Sequence, residues 1–117
     1  MVVKMNRIST HVLDMARGKP ASGVPVRLER RDPSGTWRLL HEARTDDDGR
    51  CRELLLDSNL VPGIYRLAFG TASYFDAQAA EALYPEVEVT FQVREGESHF
   101  HIPLLLNANG YTTYRGS

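Results

Sequence analysis

The chain has 117 residues, room for one domain, and sets 14 Lys and Arg against 15 Asp and Glu for a formal charge of −1. That balance excludes the concentrated basic surface that phosphate binding requires, and with it nucleic acid as a main partner. Hydrophobic residues at 42% exclude a disordered chain and suffice for one core.

The charges are unevenly spread. Residues 1–44 hold nine basic and four acidic groups, and residues 45–117 hold five basic and eleven acidic. No run of five like charges occurs, so the asymmetry points to two mixed faces rather than a tail. The one cysteine, Cys51, excludes an intrachain disulfide and points to a reducing compartment. No stretch approaches the ~18 apolar residues of a membrane span. The first ten residues lack the apolar run of a signal peptide, and the final Arg-Gly-Ser is not a peroxisomal address. The expectation is a soluble, cytoplasmic protein with no membrane partner.

In chain order, Met1 to Lys4 carry no motif, and their removal is expected to leave folding and activity almost unchanged. Residues 7–13 alternate, with Ile8, Thr10 and Val12 on one face and Ser9, His11 and Leu13 on the other, which predicts a strand. Gly18-Lys19-Pro20 and Ser22-Gly23 are turns. Val24, Val26 and Leu28 mark the next strand, and Asp32-Pro33-Ser34-Gly35 the next turn. A strand is predicted over 36–43, then a hairpin turn at Asp46-Asp47-Asp48-Gly49, which lacks the downstream Glu of a calcium loop. Strands over 51–56 and 64–69 follow, the second placing Tyr65, Leu67 and Phe69 together. Asp76 to Leu83 breaks the alternation with strong helix formers, with Ser73 or Asp76 available as a cap and Tyr84-Pro85 as the stop. Strands then recur over 86–93 (Val87, Val89, Phe91 and Val93 inward), 99–106 (Phe100, Ile102, Leu104 and Leu106 inward) and 111–115. About eight strands with one inserted helix describe a β-sandwich.

The same parity picks out candidate chemistry. His99 and His101 share the face away from the core, roughly 7 Å apart at Cα, and His11 lies on the outer face of the first strand. A lone outward histidine is ordinarily solvated, whereas a His-x-His pair also suits a metal. His41 has no partner nearby and is expected at the surface. Arg50, taken alone, is an ordinary surface arginine, and Cys51 an inert or buried thiol. No phosphate loop, nucleophile elbow or His-Glu-x-x-His motif is present. The last eight residues, Gly110 to Ser117, are amphipathic rather than the small or charged residues of a frayed end. These residues alone describe a sandwich with histidines on one face.

A resemblance takes the reading further. Ile8-Ser9-Thr10-His11-Val12-Leu13-Asp14 with Gly18-Lys19-Pro20-Ala21, Thr45 to Arg50, Tyr74-Phe75, Tyr84-Pro85, His99 to Leu106 and the terminal Tyr114-Arg115-Gly116-Ser117 resemble the 5-hydroxyisourate hydrolases, in order and over nearly the whole chain. Tyr-Arg-Gly-Ser separates those enzymes from the related transthyretins. At Asn107-Ala108-Asn109 this chain departs from the Ser-Pro-Tyr-like stretch common in the family.

The resemblance implies a transthyretin-like sandwich of two four-stranded sheets with one short helix, one hydrolase domain over 1–117. It also implies a homotetramer, a dimer of dimers of about 53 kDa from copies of 13.2 kDa, with active sites where dimers meet. The implied reaction is opening of 5-hydroxyisourate to 2-oxo-4-hydroxy-4-carboxy-5-ureidoimidazoline. Its catalytic residues fall on His11, Arg50, His101 and Ser117, and its substrate-binding tail on Tyr114, Arg115 and Gly116. In that chemistry the His11–His101 pair would activate water, Arg50 would hold substrate and developing oxyanion, and Ser117 or its carboxylate would orient water or substrate. No cofactor is needed on this account. Two alternatives stand beside it: a zinc site on His11, His99 and His101 with water as fourth ligand, and a non-enzymatic carrier of the transthyretin kind.

Overall fold

In a computed structural model, residues 5–57 and 60–117 are described, so the expectation for Met1 to Lys4 lies outside the described residues. The chain forms β1 (Asn6–Asp14), β2 (Lys19–Pro20), β3 (Pro25–Arg31), β4 (Trp37–Arg44), β5 (Arg50–Asp57), β6 (Gly63–Phe69), α1 (Thr71–Asp76), β7 (Val87–Val93), β8 (His99–Asn107) and β9 (Gly110–Thr113). One sheet runs β4-β3-β6-β7. In the other, β1 pairs along one edge with β8, which pairs in turn with β9. The opposite edge of β1 is taken by β5 over Asn6 to His11 and by the two-residue β2 over Leu13 and Asp14. Each layer is therefore four strands wide, the transthyretin-like sandwich with one short helix. Among the described residues no helix is long and apolar enough to cross a membrane.

Period-two alternation places the core. Ile8 and Val12 of β1 and Leu104 and Leu106 of β8 face Val26, Leu28, Leu67 and Phe69 of the other sheet, all essentially inaccessible. Each such side chain contributes roughly 1.5–3 kcal/mol through burial. With the inner faces thus filled, Ser9, His11 and His101 are left on the outer face of the β1–β8 sheet.

Five local expectations need correction. The helix forms over Thr71–Asp76, ahead of the predicted Asp76 to Leu83. Thr71, Tyr74 and Phe75 are buried there, whereas of the helix formers that follow only the small Ala80 and Ala82 pack, partly buried, against the core, and Ala79 ends the turn at φ 54. A segment this short needs packing more than propensity. Neither Ser73 nor Asp76 caps it; Gly70 is the N-cap, without a side-chain hydrogen bond. The Asp46–Gly49 turn exists, with Asp46 Oδ1 accepting from the N–H groups of Asp48 and Arg50, yet it is not a hairpin. It carries the chain from β4 in one sheet to β5 in the other. Gly49 is required there: its φ is +76, and a Cβ would collide with the carbonyl oxygen of Val12. Lys19-Pro20, expected within a turn, pairs as β2. The last strand stops at Thr113 rather than 115.

A buried polar anchor ties the helix to β1. Asp14, 2% exposed, accepts from the Tyr74 hydroxyl at 2.6 Å and from the backbone N–H groups of Ala16 and Arg17 at 3.1 Å each. Removing one donor leaves a buried carboxylate short of a partner. Tyr74→Phe is therefore expected to cost about 1.5–3 kcal/mol, the range for hydrogen bonds to charged groups; urea unfolding measures it, and an unchanged midpoint would contradict the anchor.

Candidate active site

The parallel β1–β8 ladder assembles the site. Its rungs set Arg7 beside His99, Ser9 beside His101 and His11 beside Pro103. Across the other edge of β1, His11 pairs with Arg50. Beyond Thr113 the chain leaves the ladder for two residues, then Gly116 bridges back to His101 in the register of the β8–β9 pairing. Three strands and the tail thus meet around an open depression of about 580 Å³, lined among others by Arg50, His101, Arg115, Gly116 and Ser117. A second depression of about 370 Å³ adjoins it, sharing Arg7, Ser9, Arg50 and His101.

His101 is the most constrained group. Its Nδ1 lies 2.9 Å from Ser9 Oγ, and its carbonyl accepts from Gly116 N–H at 2.7 Å. Among the described residues Nε2 has no hydrogen-bond partner. Burial pushes the imidazole below its usual range, and the charges of Arg50 and then His11 push the same way. The shift favours the neutral imidazole, the form that can accept a proton. A glycine at 116 is part of that arrangement, because a Cβ there would stand 2.6 Å from His101 Cδ2.

His11 Nε2 meets the Asp48 carbonyl oxygen at 2.9 Å. A carbonyl can only accept, so neutral His11 carries its hydrogen on Nε2 and offers Nδ1 as acceptor. Arg50 is partly buried and forms no ion pair among the described residues. Arg115, by contrast, is engaged: Nη1 reaches Glu97 at 2.9 Å, Nη2 donates to the His99 carbonyl at 3.0 Å, and the guanidinium lies 4.4 Å from the centre of the Phe100 ring. It pins the tail in place. Tyr114, 54% exposed, lines a separate groove with Phe91 and Phe100 instead of the His101 depression.

His99 borders the larger depression, but two residues along from His101 on the side opposite His11. The register separates His99 and His11 by about 14 Å at Cα, and among the described residues no three His, Cys, Asp or Glu side chains form a metal-holding group. His41 is exposed on β4, as expected. Cys51 is buried, and burial with the charge of Asp46 pushes its thiol up to about 11. Sequence reasoning gave Ser9 no role. Its parity matches His11, but its contact with His101 spans 92 residues.

The chain is similar to known proteins over its full length. A family model described as the HIUase/Transthyretin family matches residues 8–116. It is 44% identical to the 5-hydroxyisourate hydrolase of Mus musculus, each chain covered completely, and 43% identical to that of Salmonella typhimurium, over 96% of this chain and 82% of the other. Among solved structures, the 5-hydroxyisourate hydrolase of Klebsiella pneumoniae superposes with a TM-score of 0.84 at 34% identity, covering 96% and 99% of the chains. The transthyretin of Sparus aurata superposes with a TM-score of 0.88 at 28% identity, covering 93% and 95%.

Two NMR measurements check the geometry. His101 is expected to titrate below 6.5, and Arg50→Gln to move it part of the way back, since removing a nearby positive charge favours the imidazolium while burial remains; a midpoint at or above 6.5 would contradict the arrangement. Gly116→Ala is expected to shift the His101 ring resonances while leaving the core methyl resonances in place.

Proposed function

The chain belongs to the HIUase/Transthyretin family, and from that premise we propose that it hydrolyses 5-hydroxyisourate, opening a ring amide to give 2-oxo-4-hydroxy-4-carboxy-5-ureidoimidazoline. The observation that carries this reading is His101 held by Ser9 and Gly116, beside an Arg50 that has no ion-pair partner among the described residues. Water attacks the ring carbonyl carbon as the His11–His101 pair accepts its proton, with His101 the member whose burial favours the unprotonated form. Arg50 holds the carbonyl oxygen and stabilises the charge developing there. The carbon–nitrogen bond then breaks, the proton passes to the departing nitrogen, and the acyl carbon leaves as a carboxylate. Ser117, at the edge of the depression, orients water or substrate, and Arg115 keeps the tail in position.

We read residues 1–117 as one hydrolase domain. The assembly that fits is a homotetramer, a dimer of dimers. Leu13 and Leu105 sit side by side on the outer face, and β7 and β9 each pair along a single edge among the described residues, so both an apolar patch and open sheet edges await partners. A buried, unpaired Cys51 suits the cytoplasm.

The close superposition on a transthyretin supports a second reading, a carrier without catalysis. Histidine and arginine side chains around the depressions favour the enzyme. Following the ultraviolet signal of freshly made 5-hydroxyisourate decides between them: purified protein is expected to speed its loss, and no acceleration would leave the carrier. His101→Ala and His11→Ala are each expected to lower the rate by about 10²–10⁴-fold, the range for a positioned base, with thermal unfolding little changed and His41→Ala silent. Deleting Tyr114 to Ser117 is expected to abolish most activity in a protein that still folds, because the core side chains of β7 and β8 remain. A truncated protein of full activity would remove the tail from the site. Light scattering is expected to give a mass of about four chains of 13.2 kDa.

A further inference from the structure

Four arginines approach the two depressions, and two are neutralised. Arg115 holds Glu97 at 2.9 Å, and Arg52 reaches Asp48 at 3.4 Å. Arg50 and Arg7 have no carboxylate within ion-pair distance among the described residues. Arg50 has a role in the reading above; Arg7 has none. It stands on β1 two residues before Ser9, with His99 of β8 and Leu56 of β5 as its neighbours. Its backbone N–H donates to the Ser98 carbonyl at 2.9 Å, so the strand fixes the base of the side chain while the residue stays exposed. It lines both depressions, together with Arg50 and His101.

We propose that Arg7 is a further binding residue of this site, one that takes the carboxylate of a planar heterocycle and gives the pocket its preference for anionic over neutral rings. In the reaction this rests on the hydrolase reading: water plus a ring amide yields an amine and a carboxylic acid, whose proton is lost, so one negative charge appears on the former carbonyl carbon. Arg50 serves the oxyanion as it forms. A second guanidinium, planar and permanently charged, offers the finished carboxylate a bidentate partner.

The test uses orotate, a planar ring with a carboxylate, and uracil, the same ring without it, titrated calorimetrically into the intact protein. Orotate is expected to bind more tightly than uracil. Arg7→Gln is expected to weaken orotate at least tenfold and uracil by less than twofold, and Arg7→Lys to restore part of the loss. In steady-state assays Arg7→Gln is expected to relieve inhibition by accumulated product more than it lowers kcat. The proposal is overturned if wild-type protein does not bind orotate, if Arg7→Gln leaves orotate binding unchanged, or if it weakens both rings alike. Because the titrations involve no turnover, failure to consume 5-hydroxyisourate would sink the hydrolase reading while leaving the orotate result to stand or fall separately.

Discussion

The parallel pairing of β1 with β8 is the contact on which the rest of the molecule depends. It joins segments some 92 residues apart, and eight consecutive rungs run from Arg7–His99 to Asp14–Leu106. Parallel strands need a long connection between them, and here that connection includes the whole of the opposite sheet, with β2, β5 and α1. On the inner side the pairing aligns Ile8, Thr10 and Val12 with Phe100, Ile102 and Leu104, and the Thr10 hydroxyl, itself buried, donates to the Ile102 carbonyl at 2.5 Å. On the outer side the same rungs set Ser9 against His101. A slip of one residue would exchange the two faces, driving histidine into the core and leucine into water. Burial of the inner side therefore enforces the register of the outer one, and the site inherits its precision from the core.

Charge is distributed to the same end. On the far sheet, Arg66 pairs with Glu29 at 3.0 Å and Glu88 at 2.8 Å, and Arg27 with Glu86 at 2.8 Å. Near the site three acidic groups are engaged: Glu97 with Arg115, Asp48 with Arg52, and Asp46 with the backbone of its own turn, its carboxyl held below the usual range first by the Arg50 N–H. Arg50 thus stands as a cation beside the partly buried imidazole of His101, with Arg7 lining the same depression. Such an environment disfavours the imidazolium and favours any ligand that brings or develops negative charge. The proposed proton acceptor and the proposed anion site are two consequences of one arrangement.

Much of this is legible in the residues alone. Alternation located eight strands to within a residue or two and turned His11, His99 and His101 outward, because inward positions were already taken by Val, Ile, Leu and Phe. The helix was misplaced because Ala77 to Leu83 has high propensity, whereas Tyr74 and Phe75 have aromatic surface to bury, and in a six-residue helix burial decides. The Asp46–Gly49 turn was recognised from its own residues, but whether the strands it joins lie in one sheet or two depends on where β1 lies, and no local signal carries that.

The order of residues is enough to set the layer architecture, the inward and outward faces of each strand and, through its likeness to a family, which histidines and which arginine to watch. Those properties follow from side-chain period and residue type, which are local. Tertiary structure alone decided that Ser9 holds His101, that Gly116 must lack a side chain because an imidazole occupies the space, that Arg115 is spent on Glu97 while Arg7 is not, and that His99 stands apart from His11. Each of these is a relation between residues far apart in the chain, set by strand register, and register is chosen by the packing of the whole core.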